Sequence, residues 1–149
     1  MANRNFSRVQ ALDKEIKIIH GQFAITGGTG GVSWTSANKA KSAGIKNIEQ
    51  VNASTAPGEY KITLGSVGGE GVDKYPHIYG FFMSLQKSAA VGSTNGGALF
   101  QMKSQAVSTA GTVNILMTTS AGGAAHPAAS DHFHFTLILK NSNVPGTGV

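Results

Sequence analysis

The chain reads as an all-β protein: an antiparallel β-sandwich (jelly-roll-like) or partly closed barrel, led by an N-terminal arm or short helix. Three observations predict this. Apolar residues recur with period two in short runs, most clearly Phe133, Phe135, Leu137 and Leu139. His132, His134, Thr136 and Lys140 alternate with them, and Ile138 is the apolar exception. The runs are separated by Gly, Ala, Ser and Thr, with Gly supplying 20 of 149 residues, and no sustained helical pattern alternates with them.

Residues 1–14 are polar, with Phe6, Val9 and Leu12 three apart. That spacing suits a short amphipathic helix that Ser7 helps to cap, or else an extended arm docked on a neighbour. The stretch from Glu15 to Thr26 is rich in β-branched residues and reads as a strand. Its apolar phase shifts between Ile16 and Ile18 on one parity and Ile19, Phe23 and Ile25 on the other, which predicts a bend or bulge at Gly21. Trp34, the single tryptophan, reads as a core or interface anchor. Residues 44–51 and 59–64 predict a hairpin turned at Pro57-Gly58, with Tyr60, Ile62 and Leu64 on one face. Residues 77–86 predict a strand with Tyr79, Phe81, Met83 and Leu85 in phase. Residues 98–102 and 112–117 predict two more, the second keeping Val113, Ile115 and Met117 on one side, before the closing strand. The domain boundaries expected are an arm at 1–14, a sandwich at 15–142 and a flexible tail at 143–149.

Composition narrows function. Charged residues make up only 13% of the chain, against about 25% in an average domain, so much of the surface is expected to pack against other copies or another protein. Residues 1–46 hold seven bases against two acids, while the remainder balances five against five. The whole excess of +5 therefore lies in the first third, which suits an acidic partner surface. There is no cysteine, hence no disulfide, thiolate metal site or Cys nucleophile. No apolar run has the length of a membrane span, and the opening residues lack the apolar core of a signal peptide. Synthesis and assembly in the cytoplasm are expected.

Catalytic patterns are thin. The glycine-rich residues 27–31 follow a strand but lack the Gly-Lys-Ser/Thr ending of a phosphate loop. No Gly-x-Ser-x-Gly motif occurs, and Glu59, Glu70, Asp73 and Asp131 form no evident acid pair. His132 and His134, two apart on a strand, share a face and are weak candidate metal ligands, with Asp131 or His126 nearby; alone they make half a site. The aromatics lie in apolar strand phases, which favours core over base stacking, and leaves only non-specific phosphate contact by Arg4 or Arg8. The expectation is a non-enzymatic protein with no cofactor, no membrane association and no specific nucleic acid.

Residues 44–51, 58–64, the aromatic strand 77–85 and the closing strand 133–142, behind the opening Asn3-Arg4-Asn5-Phe6-Ser7-Arg8-Val9-Gln10-Ala11-Leu12, together resemble small virion proteins of tailed bacteriophages. The opening looks like the start of head decoration (cement) proteins. The resemblance implies many copies bound outside a capsid shell, clamping the major capsid protein as a dimer or trimer, made in the host cytoplasm and residing on the virion exterior. It implies no catalytic residue. Arg4, Phe6, Arg8, Lys14 and Lys17 are the expected capsid-binding residues. A tail-fibre or receptor-binding tip module, and a carbohydrate-binding β-sandwich module, are the alternatives.

Overall fold

The structure, a computed structural model, describes residues 16–26, 31–52, 56–65, 71–86, 99–118 and 128–141. The arm at 1–14 and the tail at 143–149 lie outside these, and with them Arg4, Phe6, Arg8 and Lys14. Eight strands and one short helix are described: β1 (Ile16–Thr26), β2 (Gly31–Ser33), α1 (Ser36–Ala40), β3 (Ile45–Asn52), β4 (Ala56–Leu64), β5 (His77–Gln86), β6 (Leu99–Ala106), β7 (Thr112–Thr118) and β8 (His132–Lys140). They form two four-stranded antiparallel sheets, β2-β1-β8-β5 and β3-β4-β7-β6. This is the expected all-β sandwich. The alternative of partial closure is set aside, because no ladder joins one sheet to the other among the described residues.

The core follows from alternation. Phe133, Phe135, Leu137 and Leu139 of β8 face inward, as do Ile19, Phe23 and Ile25 of β1. Tyr60, Ile62 and Leu64 of β4 and Val113, Ile115 and Met117 of β7 meet them from the second sheet. Aromatic rings pack within the first sheet and across to the second. Phe23 stacks on Phe133 at 4.9 Å, Tyr60 lies 5.4 Å from Phe23, and Phe100 approaches Phe133 edge-on at 5.0 Å.

Several local expectations change. β1 pairs with β8 without a register break from Ile16 opposite Lys140 to Ala24 opposite His132, so Gly21 makes no bulge. The glycine instead leaves room for a ring: a Cβ there would stand 2.4 Å from Phe135 Cζ. The phase shift has another cause, which is that Ile16 and Ile18 lie on the outer face and are exposed. The β3–β4 hairpin exists, but Pro57-Gly58 belongs to β4, and the connection is residues 53–55. Tyr79 is the extra residue where the β5–β8 register shifts, so it is exposed while Phe81, Met83 and Leu85 are half-buried. Periodicity also missed β2 and α1, both too short to show one.

These short elements nonetheless finish the β1 edge. β2 pairs only with Ala24–Thr26. Below it the Ala43 N–H donates to His20 O (2.8 Å) and the Gln22 N–H to Ser42 Oγ (3.0 Å). Asn38 of α1, itself buried, donates to Ser33 O (2.9 Å) and holds the helix against β2.

Two outcomes test this packing. Gly21→Ala should cost about 1–3 kcal/mol in denaturant unfolding, because the new methyl overlaps the Phe135 ring. Adding Phe135→Leu should return part of the loss, which a purely conformational effect of the glycine would not allow. The second concerns alkaline pH. Burial, and after it the neighbouring Asp73 carboxylate, pushes the Tyr75 hydroxyl up to about 12, and burial raises Tyr60 as well. A phenol raised on folding contributes its full stability below its unfolded value of about 10. That contribution is lost as pH rises through about 12. Tyr75→Phe should therefore flatten the fall in unfolding free energy measured between about pH 10 and 12.

Candidate docking face

The two outer faces of the sandwich differ in chemistry. On the second sheet two ion pairs tie neighbouring strands, and Lys46 Nζ donates to Gly71 O (3.2 Å). Lys61 of β4 bridges Glu49 of β3 at the surface. Glu59 of β4 is only 4% exposed, and its Oε2 accepts from Lys103 Nζ of β6 at 2.7 Å. Lys103 is the residue at which the β6–β7 register shifts, and the shift coincides with its reach to Glu59.

The outer face of the first sheet carries no carboxylate among the described residues. Its register sets up cross-strand rows. Phe82, Thr136 and His20 form one, and Ser84, His134 and Gln22 the next. Gln86, His132 and Ala24 follow, with His134 Nε2 3.1 Å from Gln86 Oε1. On the other side of the Phe82 row, Ile18 faces Ile138, and beyond that pair Ile16 faces Lys140. Phe82 is 62% exposed and Ile18 47%. A shallow cleft of about 350 Å³ runs over these rows, lined among others by His20, Gln22, Lys41, Phe82, Ser84 and His134. The face thus combines an apolar end (Ile16, Ile18, Ile138, Phe82) with an imidazole and amide end, and nearby cations with no acid among the described residues.

His132 and His134 do share this face, as their spacing implied. Asp131 does not join them. It is fully buried, and its Oδ2 accepts from the Ala128 N–H (3.0 Å). His126 lies outside the described residues, and among those described no group of three His, Asp or Glu gathers that could hold a metal ion. Lys17 is exposed on β1, on the inward parity but beyond the buried stretch that starts at Ile19. Trp34 packs against the core and its indole N–H donates to Lys46 O (3.4 Å), so its ring is no open sugar platform. No helix among the described residues is long and apolar enough to cross a membrane.

Sequence reasoning missed Ile16, Ile18 and Phe82 as site residues. The signal was present as apolar residues on the wetter parity of their strands: Ile16 and Ile18 in β1 and Ile138 in β8. Comparison with protein-family models, curated proteins and solved structures finds no match to this chain.

The contrast between the two ion pairs is measurable. Lys103→Met leaves the Glu59 carboxylate buried without its partner and should cost about 1–3 kcal/mol in unfolding free energy, discounted because the lysine is half-exposed. Lys61→Met removes a surface pair and should cost no more than about 1 kcal/mol.

Proposed function

We propose that this chain is a non-enzymatic viral structural protein, a capsid decoration (cement) protein that binds the outside of a phage head and stabilises the shell. In this reading the major capsid protein is the partner, and no cofactor is needed. The protein is made in the host cytoplasm and ends on the virion exterior. The observation that carries it is the carboxylate-free outer face of β1, β8 and β5, with Ile18 and Phe82 exposed beside histidines and glutamines. An acidic surface with apolar relief is its complement. The basic first third, with Arg4, Phe6, Arg8, Lys14 and Lys17, adds attraction of the same sign. Binding only to the assembled shell would raise the free energy of its disassembly, which is how such a protein acts without chemistry.

Quantitative mass spectrometry of purified particles from the source separates the readings. Abundance comparable to the major capsid protein is the expected result. A few copies per particle would transfer the protein to a tail-fibre or receptor-binding tip, and absence would overturn the virion assignment and leave the carbohydrate-binding module as the next to test. Binding to heads stripped of this protein then tests the face. Ile18→Glu and Thr136→Glu should weaken it by roughly 10-fold or more. Thr112→Glu, on the other sheet, should not. Deleting residues 1–14 should abolish head binding yet leave a folded core, and unchanged binding would refute the arm's part.

A further inference from the structure

Sheet edges left open pair with other chains unless something prevents it. Three of the four edges here carry such a device. β2 is three residues long, and Ser42 and Ala43 cover β1 below it. β3 bears Lys46 and Glu49 and has register shifts near both ends of its ladder. β6 presents Lys103 at its own register shift.

β5 has none of these over most of its length. Its ten residues, His77–Gln86, contain no Lys, Arg, Asp, Glu or Pro. Its one register shift, at Tyr79, precedes an unbroken run from Gly80 to Gln86 against β8. On its other side β5 pairs with nothing among the described residues. Beside it a cleft of about 350 Å³ opens between the sheets, lined among others by Phe81, Met83, Phe100 and Met102.

We propose that two copies of this chain pair antiparallel through their β5 edges about a two-fold axis at Met83, joining their first sheets into one continuous sheet. The occupant is a second copy because of charge. A two-fold contact sets each residue near the axis against itself or its close neighbours, so any charge there meets its own sign. β5 has no charged residue to be penalised, whereas the same operation on β6 would bring Lys103 toward its counterpart. Pairing must also keep side chains on matching faces, which restricts the axis to a residue rather than a bond. Centring on Met83 uses all of Gly80–Gln86. Phe82 of one copy then lies opposite Ser84 of the other on the outer face, and Phe81 opposite Leu85 on the inner face, beside the open cleft.

The exposed area is of the right order. At roughly 150–250 Å² per aromatic side chain, Tyr79 (52% exposed) and Phe82 (62%) offer on the order of 200 Å² per copy. That is roughly a third of the about 600 Å² per partner at the low end of stable interfaces. The backbone edge of the paired run and exposed Met102 on the far side of the cleft lie beside them to supply the rest.

This inference stands independently of what the outer face docks on, and solution measurements on the full chain test it. Sedimentation and light scattering should give a dimer. Ser84→Lys and Phe82→Lys, each at an exposed position, should give folded monomers at concentrations where the parent is dimeric, with thermal unfolding as the control for folding. Mixing Phe82→Lys with Ser84→Glu should restore a mixed dimer, because the register places the two introduced charges opposite one another. The chain has no cysteine, so Met83→Cys reports the axis directly: it should oxidise to a disulfide-linked dimer, while Ser104→Cys on β6 should not. A parent that is monomeric at all concentrations overturns the proposal, whether the edge is then covered by residues 1–15 of the same chain or by nothing. So does a dimer that survives both lysine substitutions and fails to cross-link through position 83.

Discussion

The structure depends on β8 being paired on both sides. Its nine residues, His132–Lys140, bond to β1 along one edge and to β5 along the other, so the first sheet has no continuity without it. Its inner parity supplies Phe133, Phe135, Leu137 and Leu139 to the core, and its outer parity supplies the middle lane of the candidate face. One alternation thus sets both the hydrophobic interior and the exposed chemistry. A slip of one residue would exchange the two faces, burying histidines and exposing phenylalanines, so register is strongly specified here. Other details follow from it. The ring of Phe135 requires Gly21 on β1. Buried Asp131, just before β8, ties the strand's entry through the Ala128 N–H and accepts through its backbone from the Ile25 N–H.

The fold class and most strands could be read from residue patterns because this sandwich buries one face of each central strand. Where both neighbours are strands and one face is wet, as in β7 and β8, alternation is clean and the reading was correct. It failed where a second demand acts on the same residues. In β1, Ile16 and Ile18 are apolar on the outer face, and the mixture of parities imitated a bulge that does not exist. In β5 the reverse happened, since a real register shift at Tyr79 hid inside an apparently regular aromatic run. Pro57-Gly58 looked like a turn because those residues favour one, yet the strand admits them near its start. The candidate face was only half visible. His132 and His134 announced its polar end, but Ile18, Ile138 and Phe82 come together only through the pairing of three strands distant in sequence.

Charge is partitioned between the faces rather than spread. The second sheet neutralises Glu49 with Lys61 and Glu59 with Lys103, and it too exposes apolar side chains, at Val51, Leu99 and Met102. Its closed pairs add little attraction for a charged partner. The outer face of the first sheet holds no acid among the described residues, and aromatic and aliphatic side chains occupy positions where an isolated domain would carry polar ones. A chain with 13% charged residues has few to place, and their placement is therefore informative.

Edge and face share β5, which couples the two proposals geometrically. Phe82 and Ser84 belong to the rows of the outer face and also to the run at the free edge. A two-fold axis perpendicular to the sheet keeps both outer faces on the same side of the joined sheet, so a dimer would present two docking surfaces to one target at once. The second contact would then form at the effective concentration set by the first, and the gain of about 10²–10⁴ in avidity requires no additional contact chemistry. A repeating surface, such as a shell built of many identical subunits, is the kind of target on which that gain is realised. A solitary ligand would engage one face and leave the other idle. Weak individual contacts by each acid-free, partly apolar face would then suffice for stable attachment, provided that the spacing of the two faces matches the repeat of the target.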